Sequence, residues 1–171
     1  EGWVFEQILF NNFTCLSTLI FRADIIYNDQ IQFDPQFTFL EDTDFLIMVS
    51  RKWKFIYEHT PLTSYRMHSE SATATKVEGF RREMDILIDK FSALIPVVKE
   101  KYEAQLRLMN RRDEAMDNWR KGDTKKARSL IYVNLITHPR YSLLYLAMFL
   151  PYRYFDWFRN RLFKKAIGYY Y

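Results

Sequence analysis

Residues 31–45 read IQFDPQFTFLEDTDF, and the expected fold turns on them. Phe33-Asp34-Pro35 has the chemistry of a turn, since Pro fixes φ and Asp bonds its own backbone locally. Glu41-Asp42-Thr43-Asp44 then sets three carboxylates within four residues, directly before the apolar run Phe45–Val49. Acids suit the positive end of a helix dipole, and Asp42 or Thr43 is the expected cap. Upstream, residues 14–21 (TCLSTLIF) are short, apolar and β-rich, which predicts a buried strand. Residues 23–30 fit a short helix or loop. Downstream, residues 53–57 read as a strand that Thr60-Pro61 ends, and residues 62–67 read as another. Residues 1–75 are therefore expected to be mixed α/β.

Past residue 76 the apolar period changes to 3.6. Val77, Phe80, Met84, Leu87, Ile88, Phe91 and Ile95 fall on one helical face. Tyr102, Leu106, Met109 and Met116 continue the spacing in a second helix that ends near Trp119. Gly122-Asp123 is a stop and restart, with Gly closing one helix and Asp capping the next. Ala127, Leu130, Ile131 and Leu135 mark a third face that stops before Pro139. Residues 76–140 thus predict a helical extension. Residues 141–171 form an aromatic and basic tail, with Tyr154, Trp157, Phe158 and Leu162 on one helical arc. Arg161 and Lys165 point toward that arc, where long basic side chains snorkel. Such a tail suits either a membrane interface or packing on the protein.

Composition narrows the function classes. Apolar residues are 49% and charged residues 27% of the 171, which excludes a disordered chain. Four Gly leave little room for a glycine-rich phosphate loop. One cysteine, Cys15, excludes an internal disulfide and a cysteine zinc cluster, and a reducing compartment is the simpler reading. Within a net charge of +4, residues 1–75 carry 10 acids and 5 bases, residues 76–140 carry 10 acids and 15 bases, and residues 141–171 carry 1 acid and 5 bases. The basic residues of 76–140 are interleaved with acids, so no nucleic-acid stripe is expected. Residues 1–5 carry no signal-peptide pattern.

Two clusters have the chemistry of a site. Glu41-Asp42-Thr43-Asp44, at a loop-to-helix junction, suits a hard divalent cation or a general base beside a hydroxyl; the same acids also suit simple helix capping. Tyr65-Arg66-Met67-His68, followed by Ser69, Ser71, Thr73 and Thr75, offers a planar cation for phosphate or carboxylate and an imidazole for a metal; a surface Arg and an exposed His fit as well. Cys15 is expected to be buried and inert, and His59 and His138 structural.

Read together, STLIFR (residues 17–22), IQFDPQFTFLEDTDF (31–45) and FIYEHTPLTSYRMHSES (55–71) resemble the second half of the catalytic domain of family 2, GT-A fold glycosyltransferases. The resemblance covers residues 14–75. It implies α/β architecture: a partial GT-A-like mixed sheet followed by the α-helical C-terminal extension. It implies that Asp42 is the general base for an acceptor hydroxyl, with Glu41 supporting it. Asp44 and Arg66 would bind substrate, and His68 would ligate a divalent cation, Mg or Mn. The donor would be a nucleotide-sugar and the acceptor a glycan or lipid-linked hydroxyl, with inversion at the anomeric carbon. The nucleotide-binding half with its Asp-x-Asp motif does not precede these motifs here, so this chain is expected to be the acceptor-side portion, inactive alone and prone to self-association through an open sheet edge. A cytoplasmic location, peripheral at the inner face of a membrane through residues 141–171, completes this expectation. The alternative is a helical protein-interaction module on a non-catalytic α/β scaffold.

Overall fold

The computed structural model describes residues 1–64 and 77–163, whose regular elements are helices joined by loops. The chain divides into two compact units, Glu1–Leu94 and Ile95–Tyr171. The first holds α1 (Phe5–Phe10), a 3-10 turn at Leu16–Thr18, α2 (Asp24–Tyr27), α3 (Glu41–Ser50) and α4 (Val77–Leu94). The second holds a π-helical turn at Val98–Tyr102, α5 (Glu103–Arg120), α6 (Thr124–Thr137), a 3-10 turn at Pro139–Tyr141, α7 (Ser142–Ala147) and α8 (Tyr152–Phe163).

The expected mixed sheet is overturned. Among the described residues there is no β-strand, only one antiparallel bridge between Gly2 and Phe55. That bridge carries both backbone bonds, Gly2 N–H to Phe55 O at 2.7 Å and Phe55 N–H to Gly2 O at 2.8 Å. The segment expected as a buried strand turns at Leu16–Thr18 instead, and Ile20 is 97% exposed. In residues 53–57, the second expected strand, Ile56 is 89% exposed, and residues 62–67, the third, lie partly outside the described residues. The physical reason is pairing. A strand satisfies its backbone only through a neighbour, and β-propensity measures fit to a pleated surface rather than the presence of one. Cys15 is correspondingly half-buried, its Sγ 3.1 Å from Ser17 Oγ.

In the first unit α1 packs on α3. Ile8 and Leu9 of α1 are buried, as are Phe45, Leu46, Ile47 and Val49 of α3 and Leu87, Ile88 and Phe91 of α4. The expected turn at Asp34 forms, with Asp34 Oδ1 accepting from the Gln36 N–H at 2.9 Å. The ring of Phe33 stacks on Phe45 at 4.6 Å, so the turn is anchored to the α3 core.

The second unit is built around the α5/α6 hairpin. Its break is where the sequence puts it: Gly122 sits at φ +89, and the Asp123 carboxylate accepts from the Lys126 N–H at 2.9 Å as the N-cap. The core includes Leu108, Ala115, Trp119, Ala127, Ile131 and Met148. Trp119 packs edge-on against Tyr152, and its Nε1 donates to the Leu150 carbonyl at 2.8 Å. Asn134, fully buried, donates to the Leu108 carbonyl at 3.1 Å and accepts from Arg111 at 3.2 Å, which satisfies polar atoms inside the hairpin.

Candidate functional site

The acidic turn forms the start of α3, with Leu40 at the N-cap position and Glu41, Asp42 and Asp44 in the first turn. No side chain of the turn caps the helix, so the expectation that Asp42 or Thr43 does so is corrected. The support comes from α4. Glu83, 2% exposed, accepts from the backbone N–H groups of Thr38 at 3.0 Å, Phe39 at 2.8 Å and Leu40 at 3.0 Å. One buried carboxylate therefore fixes the three residues that lead into the turn. The same loop is pinned from a second side by the Phe39 ring, which lies over Gly79 so closely that a Cβ there would collide with it.

The three carboxylates of the turn have different environments. Asp44 is 1% exposed, and Lys90 Nζ lies 2.6 Å from its Oδ1 and 2.8 Å from Asp34 Oδ2. Burial pushes the Asp44 carboxyl above its usual range, and the Lys90 ammonium pulls it part of the way back. The Lys90 hydrogen bond, helped by the Gln36 N–H, holds Asp34 below the usual range. Lys90 itself is disfavoured by burial, but its bonds to Asp34 and Asp44 outweigh that and raise it. Asp44 and Lys90 both shift upward because burial dominates only at the carboxylate, which is the more enclosed of the two.

Asp42 and Glu41 are half-buried at the mouth of the turn. Asp42 Oδ1 accepts from Thr43 Oγ1 at 3.1 Å, and Thr43 Oγ1 accepts from Asn12 Nδ2 at 3.0 Å. These bonds tie the Asp42 carboxylate, through Thr43, to Asn12 in the loop after α1. Glu41 Oε2 is enclosed and makes no hydrogen bond with the described residues. The structure thus brings Glu41, Asp42 and Asp44 onto one turn, with Asp44 buried against Lys90 and Asp42 half-buried beside Thr43. Arg66 and His68 lie outside the described residues.

No group of three or more His, Cys, Asp or Glu side chains among the described residues converges as a metal site, and Lys90 already occupies the position between Asp34 and Asp44. Glu83 and Lys90 are the site's unforeseen residues. The signal was present: counted from Phe80, Glu83 and Leu87 recur at helical spacing, with Lys90 one further turn on, so two charges sit within or beside the apolar stripe of α4. A buried charge on such a stripe needs a partner.

Comparison with known proteins finds no matching family model, no matching curated protein and no matching solved structure.

Proposed function

We propose that the chain is the acceptor-side portion of an inverting glycosyltransferase, with Asp42 as its general base. One observation supports the reading: of three carboxylates on the first turn of α3, Asp44 is paired with Lys90, whereas Asp42 is half-buried, is held by the Thr43 hydroxyl and has no cation against it in the described ion pairs. In the reaction Asp42 takes the proton of the acceptor hydroxyl as its oxygen bonds to the anomeric carbon. The bond from that carbon to the nucleoside diphosphate breaks, and the leaving group departs from the opposite face. A neutral hydroxyl needs such a base, because it is a poor nucleophile until its proton is leaving. Glu41 supports Asp42 or binds acceptor. The donor in this reading is a nucleotide-sugar, and the location is cytoplasmic. No step is assigned to a metal.

The test is transfer of labelled sugar to a hydroxyl acceptor by the enzyme that carries this chain. Asp42→Asn lowers kcat about 100- to 10,000-fold, the range of general-base contributions, with helicity unchanged. Retained transfer removes Asp42 as base. A second reading, a helical protein-interaction module, is supported by Tyr132, Val133 and Ile136 of α6, which are 53%, 46% and 69% exposed. It predicts that Asp42→Asn is silent and that Ile136→Asp abolishes partner binding.

A further inference from the structure

We propose that the face built by α7 and α8 docks on an anionic lipid bilayer. Leu143, Leu146 and Leu150 follow helical spacing and are 79%, 61% and 56% exposed. On α8, Tyr154, Trp157 and Phe158 are 50%, 59% and 55% exposed. Leu150 joins the two sets, because it lines a concavity of about 290 Å³ together with Tyr154, Trp157 and Phe158. The opposite side of the same elements supplies the core, through Met148 and through Tyr152 against Trp119, while Phe155 packs on Trp119 and also lines the concavity. The segment is therefore apolar on two sides, and only the inner one is used in folding.

The outer side is edged with positive charge. The Arg161 guanidinium lies 5.2 Å over the Trp157 ring, and that of Arg153 lies 4.9 Å over Tyr154. Residues 141–171 hold five bases and a single acid, Asp156. Trp and Tyr beside Arg, on a short amphipathic helix, match the layered chemistry of a membrane interface, where rings sit at headgroup level and guanidinium groups meet phosphate. The charge selects an anionic surface over a neutral one. It also opposes a second copy of the chain as occupant, since two such faces would bring like charges together. No described helix is long and apolar enough to cross a membrane; in this proposal the 12-residue α8 lies in the interface plane.

Flotation of the full chain with vesicles tests this. The chain should float with vesicles of phosphatidylcholine and phosphatidylglycerol, float poorly with phosphatidylcholine alone, and lose binding as salt rises. Trp157→Ser with Phe158→Ser should lower partitioning about tenfold or more, because two large apolar side chains no longer leave water. Ile20→Ser, an exposed apolar position in the other unit, should leave it unchanged. Arg153→Gln with Arg161→Gln should weaken the preference for the anionic vesicle, and an unchanged preference overturns the part given to these two guanidinium groups. Absence of flotation by the parent chain, or parental flotation by the Trp157/Phe158 variant, overturns the proposal. So does a dimer that the same two substitutions disperse without any vesicle binding, which would assign the face to a second copy.

Discussion

Replacing Glu83 with Gln should release the loop that leads into the acidic turn. Glu83 Oε2 accepts from the Phe39 and Leu40 N–H groups and Oε1 from that of Thr38. Gln offers one carbonyl oxygen. Placed at the Oε2 position, it keeps two acceptor contacts as neutral ones and turns its own N–H toward Thr38. Hydrogen bonds to a charged group contribute roughly 1.5–3 kcal/mol and neutral ones roughly 0.5–1.5 kcal/mol. One lost bond with a stranded donor, plus two weakened bonds, comes to about 3–5 kcal/mol. The readout is native-state hydrogen exchange at Thr38, Phe39 and Leu40. With each 1.4 kcal/mol worth a factor of ten, their exchange should accelerate about a hundredfold or more. Amides of α5 and α6, in the other unit, serve as internal reference. Unchanged protection at Thr38–Leu40 in a folded Glu83→Gln protein would refute the assignment of Glu83 as the residue that positions the turn.

Lys90→Met leaves the buried Asp44 carboxylate without its cation and should destabilise the first unit by about 3–5 kcal/mol in urea unfolding. Lys90→Met with Asp44→Leu should recover most of that, because the buried charge is gone. For pH, Asp34 is held below the ordinary aspartate value of 3.8, so its contribution is present above that value and is lost as pH falls through its lower folded value. Asp44, raised by burial, runs the opposite way and gains as it is protonated, while Lys90, raised above 10.5, loses its contribution as pH climbs through its folded value. Acid unfolding of the first unit below about pH 3.8 should therefore be shallower in Asp34→Asn, as followed by circular dichroism. Trp119→Ala opens the core of the second unit and strands the Leu150 carbonyl, with a loss of about 3–5 kcal/mol in thermal unfolding.

The parts of this structure that the sequence announces are those governed by near neighbours. Helix period sets α4, α5 and α6, and Gly122-Asp123 sets their break, because the interactions that define them span a few residues. Asp34 forms its turn for the same reason. The misread segments are those whose state depends on distant chain. Residues 14–21 and 53–57 have strand composition, yet only Phe55 finds a bridge. The acidic turn is visible in the sequence as a cluster, but the burial of Asp44 against a cation depends on Lys90, a residue of another helix. Arg66 and His68 lie outside the described residues, so only the turn on α3 carries the candidate site.

The bonds from Glu83 to Thr38, Phe39 and Leu40 bridge separations of 45, 44 and 43 residues. That distance gives the acidic turn a place in time as well as in space. During synthesis Glu41 and Asp42 emerge well before the carboxylate that fixes their approach, so the segment spends an interval with its local helical preference and nothing to aim it. Closing so long a loop is an entropic barrier that local contacts do not repay. The orientation of the turn should therefore come when α4 docks, and lesions in α4 should delay it without slowing the hairpin of α5 and α6.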